Sequence, residues 1–246
     1  PYNTLVVGGL RLNSSKEWTT FQNLSYYFQK GLEVEKLVTG GTGATNNFSE
    51  IAYALMTDKR FAGKFIGLEN VDRASMEVAA KFCAANKFTW DGVIAERLNI
   101  RDFLFTMAAY NLLDFRIKGG QFSLYPAVPF DGDFKLNEDH DVRNDVKALF
   151  TDGNVRNLKA TFLSPEERQS FRAVCTYRNE TKNGFATTEA VIVGRDLDEN
   201  TNALPIERFD MTQFCTRKDH AVTFASYAIR NRETIDHGIT FETTPQ

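Results

Sequence analysis

The sequence predicts an α+β fold in which small antiparallel β-barrels accompany a central helix-plus-hairpin region. Three observations predict it. Asn99 to Pro126 reads as one helix followed directly by a β-hairpin. From Leu158 onward apolar residues recur with period two, as in half-buried strands. After Thr216 a helical stretch leads into a closing strand, so one helix lies across strands in antiparallel succession, an arrangement that suits a small barrel. The expected organisation is residues 1–45 as the β segment of a first barrel-like domain, 46–150 as the central α+β region, and 151–246 as a second β-barrel domain with a crossing helix.

Residues 1–38 are β-rich by pattern. Leu5-Val6-Val7 leads into Gly8-Gly9, and Leu10 and Leu12 alternate with polar neighbours. Phe21 to Phe28 is aromatic, and Leu32 to Leu37 alternates as a half-exposed strand does. Residues 39–47, TGGTGATNN, read as a loop; the Gly-Lys-Ser/Thr ending of a phosphate loop is missing. Asn47 caps a short helix with Glu50 completing a capping box, and Ile51, Leu55 and Met56 face inward until Thr57-Asp58. A second helix starts near Asn70 or Asp72 and runs to Asn86, with Ala74, Val78, Ala79, Phe82 and Cys83 as its stripe. Phe88-Thr89-Trp90 is strand-like.

In the central unit Asn99 is the N-cap, with Asp102 in the first turn and Phe103, Leu104, Met107, Ala108 and Leu112 on one face. Asp114–Lys118 and Gln121–Tyr125 are strands around Gly119-Gly120, a pair suited to a two-residue turn that needs φ > 0 twice. Residues 126–157 form an acidic connector with Asp131, Asp133, Glu138, Asp139, Asp141 and Asp145; their spacing matches no EF-hand, so a solvated turn region is expected.

Leu158, Ala160 and Phe162 form one strand face, and Phe171, Ala173, Cys175 and Tyr177 another. Asn183-Gly184 makes a turn, and Ala186, Thr188, Ala190 and Ile192 continue the pattern to Gly194. A further strand begins near Pro205. Thr216 and Asp219 make a capping box for the last helix, whose stripe is Val222, Phe224, Ala225, Ala228 and Ile229. Gly238 opens the closing strand Ile239 to Thr243.

Composition bounds the function. A net charge of −3 gives no electrostatic push toward nucleic acid or anionic lipid. No run approaches the roughly 18 apolar residues of a membrane span, and none reads as a secretory signal. The start at Pro1 suggests a piece of a longer polypeptide. The 21 phenylalanines are core filling first, with subunit interfaces as the sharper reading. Cys83, Cys175 and Cys215 are too widely spaced for a disulfide framework or a zinc site, and Cys83 and Cys175 read as buried apolar residues.

No catalytic, cofactor-binding or metal-ligating set is assigned. His140, His220 and His237 are scattered, and His220 beside Asp219 reads as a surface histidine on the first turn of a helix. Glu166-Glu167 could be a glycosidase pair, but after Ser164-Pro165 they read as the acidic first turn of a short helix. Trp18 and Trp90 could stack on a carbohydrate; core packing is the simpler role.

One resemblance adds to this reading. FSEIAYALMTDKRFAGKFI resembles a recurrent stretch in the tail-tip attachment proteins, or central fibre and baseplate-hub proteins, of long-tailed bacteriophages. There an Asn-Pro-Ala-like start leads into a short helix ending Leu-Thr-Asn/Asp-x-Arg-aromatic-Gly; here Ile51 to Gly63 follows it, with Asn47-Phe48-Ser49 in place of the start. Phe82-Cys83 at the end of the next helix, the helix-hairpin from Asn99 to Tyr125, and the strand, Cys215-Thr216 cap, helix and strand from Glu207 to Phe241 are similar in order. The resemblance implies a structural protein of a phage or prophage, located at the virion tail tip and in the host cytoplasm during assembly. It implies tail-tube-like barrels and a homotrimer whose paired barrels cap a sixfold tube. Implied partners are its own copies and the tail-tube, distal-tail and tape-measure proteins, with no nucleic acid and no cofactor. The family offers no catalytic residues, and Phe21, Tyr26, Tyr27 and Phe28 are interface candidates. The alternatives are a tail-associated cell-wall glycan hydrolase and a carbohydrate- or receptor-binding module.

Overall fold

The structure, a computed structural model, describes residues 31, 33–94, 99–137, 150–151, 153–180, 187–194 and 204–243. The expected strands before residue 31, the turn at Asn183-Gly184, the connector acids Glu138, Asp139, Asp141 and Asp145, and the loop 196–203 lie outside the described residues.

Strands β1 (Glu33–Glu35) and β2 (Thr42–Ala44) form a small antiparallel hairpin. The loop expected over 39–47 is therefore part strand: Gly40 and Gly41, both at positive φ, complete the reversal, and Thr42 pairs with Glu35. Helix α1 (Phe48–Thr57) is buried on nearly all sides, from Phe48 to Met56 with Ile51 half-buried. Asn47 caps it by accepting from the Ser49 amide at 3.0 Å and also donates to the Ala80 carbonyl at 2.7 Å. Glu50 does not complete the capping box. Its carboxylate turns back to the preceding hairpin, accepting from the Val38 amide at 3.1 Å and from the Thr45 hydroxyl.

The chain after α1 is held by Asp58, Arg60 and Gly63. Asp58 accepts from the Arg60 amide at 2.8 Å and from its guanidinium, which reaches on to the Glu33 carbonyl at 3.1 Å. A Cβ on Gly63 would meet the Thr57 carbonyl oxygen at 2.3 Å, so no other residue fits against this backbone.

Helix α2 (Arg73–Asn86) is capped by Asp72, which accepts from the Ser75 amide at 3.2 Å. Its buried stripe is Met76, Ala79, Ala80, Phe82 and Cys83; Ala74, expected inside, is exposed, because Asp72 starts the helix and rotates Ser75 and Met76 onto the core side. Phe88 to Trp90 is extended but joins no sheet: the Trp90 amide donates to the Asn46 carbonyl at 2.7 Å instead. Helix α3 (Ile100–Tyr110) is capped by Asn99 and buries Leu104 and Ala108, with Phe103 and Met107 half-buried. The hairpin β3 (Leu113–Lys118) and β4 (Gln121–Pro126) follows in the expected register, Lys118 opposite Gln121 with Gly119 and Gly120 at positive φ. It docks on the start of α2: the Asp72 amide donates to the Phe122 carbonyl at 2.9 Å, and the Tyr125 hydroxyl donates to the Asp72 carboxylate at 3.1 Å.

Strands β5 (Val155–Phe162), β6 (Arg172–Asn179), β7 (Thr187–Val193), β8 (Ile206–Asp210) and β9 (His237–Thr243), with helix α4 (Lys218–Thr234), complete the described chain. They form two separate sheets, β5–β9 and β7–β6–β8, and β8 runs parallel to β6. The fold is α+β, and among the described residues no barrel closes: no sheet exceeds three strands, and the parallel β6–β8 pair breaks the antiparallel succession. In β6 the alternation is as expected, with Phe171, Ala173, Cys175 and Tyr177 all buried. In β7 the faces are exchanged. Val191 lies opposite Cys175 and Val193 opposite Ala173, and directly opposed residues share a face, so Val191 and Val193 turn to the core and Thr188, Ala190 and Ile192 to solvent.

Helix α4 packs over β6 and β7 through Ala221, Ala225 and Ile229, with Phe224 and Ala228 half-buried. Its N-cap is Arg217, without a side-chain cap bond; the Thr216 hydroxyl donates to Asp91 at 2.7 Å and so does not cap. The core is one cluster from Leu37 to Ile229. Much of the phenylalanine content is spent there, as in the tilted and edge contacts linking Phe214, Tyr110, Phe224, Phe209 and Phe171.

Candidate functional site

Two places depart from an ordinary satisfied fold: the β5–β9 ladder, and the loop around Asp91 with His220 beneath it. The ladder is a two-stranded antiparallel sheet with an irregularity between Arg156 and Lys159, where Asn157 sits at φ +54°. This inserts a bulge that bends the strand and restores the alternation beyond it. Past the bulge Ala160 pairs with Ile239 and Phe162 with His237, while Lys159 pairs with Thr240 and Thr161 with Gly238. One face is therefore apolar, with Leu158, Ala160, Phe162, Ile239 and Phe241, and the other polar. The face is the one the spacing of Leu158, Ala160 and Phe162 predicts, but it is not covered: Leu158 is 65%, Phe162 76% and Ile239 53% exposed. Phe150 lies against Phe241 with ring centres 4.5 Å apart and extends the patch. Among the described residues neither strand has a second neighbour, so each presents an unpaired edge. This arrangement performs no bond chemistry. It offers an apolar face and two edges that no other strand pairs among the described residues, and such faces and edges are the means by which sheets recruit other chains.

Asp91 gathers four segments. Its carboxylate accepts from Thr89 at 2.9 Å, Thr216 at 2.7 Å and Asn46 at 3.1 Å; its amide donates to the Phe214 carbonyl at 2.7 Å, and its carbonyl accepts from Arg178 at 2.7 Å. His220 is not on the surface. It is 1% exposed, its Nε2 is 2.8 Å from the Tyr110 carbonyl oxygen, and Phe88 lies on its ring at 4.9 Å. The helix turns this way because His220, Ala221, Phe224 and Ala225 share one face, so the imidazole belongs to the apolar stripe. Burial lowers its pKa to about 4. The spacing of His220 and Phe224, four residues apart, was the signal for this; nothing local marked Asp91 as a hub.

The remaining candidates separate. His140, Trp18, Phe21, Tyr26, Tyr27 and Phe28 lie outside the described residues. His237 is exposed on β9 beside Asp236. Glu166 and Glu167 are exposed in a turn, not a helix: Glu167 accepts from the Ser164 amide at 2.7 Å and Ser164 from the Glu167 amide at 3.2 Å, and these bonds hold the Glu167 pKa below its ordinary value. Trp90 is buried, edge-on to Phe103 at 5.7 Å. Cys83, Cys175 and Cys215 are buried thiols, and Asp131 accepts from the Asp133 and Lys135 amides at 2.9 Å as a turn residue does. A cleft of about 300 Å³ between β1–β2 and α1 includes Glu33, Tyr53, Asp58 and Arg60 in its lining, with Arg60 paired to Asp58. Among the described residues no three His, Cys, Asp or Glu side chains are grouped to hold a metal ion, and no helix is long and apolar enough to cross a membrane.

No protein-family model matches the chain, and no curated protein matches it. Among solved structures it is similar to a chain of the virion of a native gene transfer agent particle, at 15% identity and a TM-score of 0.33. The likeness covers 66% of this chain and 36% of that one, so this chain spans about a third of its length. A TM-score of that size does not establish a common fold.

Proposed function

We propose that this chain is a structural subunit of a phage-like tail tip, assembling with its own copies and with neighbouring tail proteins, and that it is not a catalyst. The observation that carries the proposal is the β5–β9 ladder, whose apolar face is exposed and whose edges no other strand pairs among the described residues. An apolar face of this kind on a two-stranded sheet is marginal alone and gains its stability from what covers it. The resemblance of Ile51–Gly63, and the order of helix, hairpin and C-terminal helix-strand, supports the tail-tip assignment within that class. A trimer with tail-tube contacts is the form we propose for the assembly, because closed rings bury such edges in every copy.

The test is sedimentation velocity of the full chain, alone and with a phage tail-tube protein. We expect concentration-dependent association, lost in the double variant Phe162→Ser, Ile239→Ser with its melting temperature retained. A strict monomer at every concentration that also ignores the tail-tube protein would overturn the reading.

A further inference from the structure

His220 is placed as a latch between two helices. It stands on the first turn of α4, and the Tyr110 carbonyl it meets at 2.8 Å closes α3. That carbonyl only accepts, so Nε2 carries the ring proton and donates. Nδ1 is then the unprotonated nitrogen; it is buried and has no hydrogen-bond partner. Of the groups around it, Asp91 and the Thr89 carbonyl, both from the 88–94 loop, favour imidazolium, but the Asp91 oxygens already accept from Thr89, Thr216 and Asn46. Arg217, just ahead of α4, opposes it. Cys175 on β6, Cys215 and the Tyr110 hydroxyl share the same core and stay neutral, since burial pushes both thiols up to about 11 and raises the tyrosine. A proton arriving from solvent at Nδ1 thus creates a buried cation whose new N–H finds no hydrogen bond among the described residues, and burial outweighs the pull of Asp91 and of the Thr89 and Tyr110 carbonyls.

We propose that His220 is an acid-sensitive latch: neutral, it holds the start of α4 against the end of α3, and protonated, it releases α4 together with the β9 strand that follows. The consequence reaches the β5–β9 ladder because α4 leads directly into β9.

The sign follows from where each state titrates. In the closed state the imidazole titrates at about 4, and in the released state near its ordinary 6.5. The released state therefore binds more protons between these values; closure is complete above about 6.5 and weakens as pH falls toward 4. At pH 5 the released state gains about 20-fold relative to pH 7, the ratio these two titrations give.

Native-state hydrogen exchange on the full chain at pH 7 and 5, corrected for intrinsic rates, tests this. The expected result is an increase of about 20-fold in the opening of α4 and β9 amides relative to α2 amides. His220→Gln, which keeps a donor toward Tyr110 but cannot titrate, abolishes the increase; His237→Gln, on β9 itself, leaves it in place. Equal pH response of α4 and α2 in the natural protein overturns the proposal, as does an undiminished response in His220→Gln. If that variant fails to fold, the ring resonances of His220 in the natural protein decide: titration near 6.5 with α4 still protected refutes the latch.

Discussion

Asn47 shows how one side chain can join two helices. It accepts from the Ser49 amide and donates to the Ala80 carbonyl, both away from water. Asn47→Ala removes the cap and leaves that carbonyl unpaired, so we expect a loss of about 2 kcal/mol in urea unfolding. Asn47→Asp keeps the cap but sets a carboxylate against the carbonyl, and it is expected to recover little of that loss. Glu50 makes a parallel case. Its buried carboxylate ties α1 to the β1–β2 turn through the Val38 amide. Glu50→Ala should cost about 2 kcal/mol, and chiefly loosen residues 33–44 in hydrogen exchange. At this scale Asn47 and Asn99 were legible as caps, because a cap is completed within three residues, while the choice between Asn70 and Asp72 was settled by the structure in favour of Asp72. Glu50 and Thr216 were misread for the complementary reason: each has the right spacing for a capping box, and each spends its oxygen on a partner that the sequence does not place beside it.

Elements reveal the same division. The Gly119-Gly120 hairpin was legible to the residue, since a two-residue turn between strands demands positive φ at both positions, observed as 58° and 84°. Gly119→Asn is expected to be nearly neutral, because Asn tolerates the left-handed region; Gly120→Val should lower stability by about 1–2 kcal/mol by thermal unfolding. Strand β7 was legible as a strand but not in its facing. Alternation fixes two faces without saying which is covered, and the pairing of Val191 with Cys175 makes that choice. Val191→Asp should therefore destabilise far more than Ile192→Asp, with denaturant midpoints as the measure; equal costs would contradict the register. Helix α4 was likewise present as expected, with its stripe running instead through His220, Ala221, Ala225 and Ile229.

At the scale of the molecule, the described residues form one core that takes in three helices of the central region and the β6 sheet with α4, and leaves the β5–β9 ladder uncovered. A ladder stabilised by assembly should be among the least protected parts of the dissociated chain. We expect β5 and β9 amides to exchange faster than those of β3–β4 in dilute protein, and to slow as concentration rises. Uniform protection at all concentrations would argue that the ladder needs no partner. The expected barrels did not close among the described residues, because closure depends on which strand edges meet, and β8 joins β6 in parallel.

By itself the sequence determined helices, the hairpin turn, the β6 core face and the amphipathic character of β5. All of these are written in spacings of two to four residues, where chain geometry alone brings side chains together. Tertiary structure decided the rest: that His220 is inside, that β7 turns Val191 inward, and that the apolar side of β5–β9 stays open. Those outcomes turn on which distant surfaces meet, and a surface pattern states its need for cover without naming what provides it.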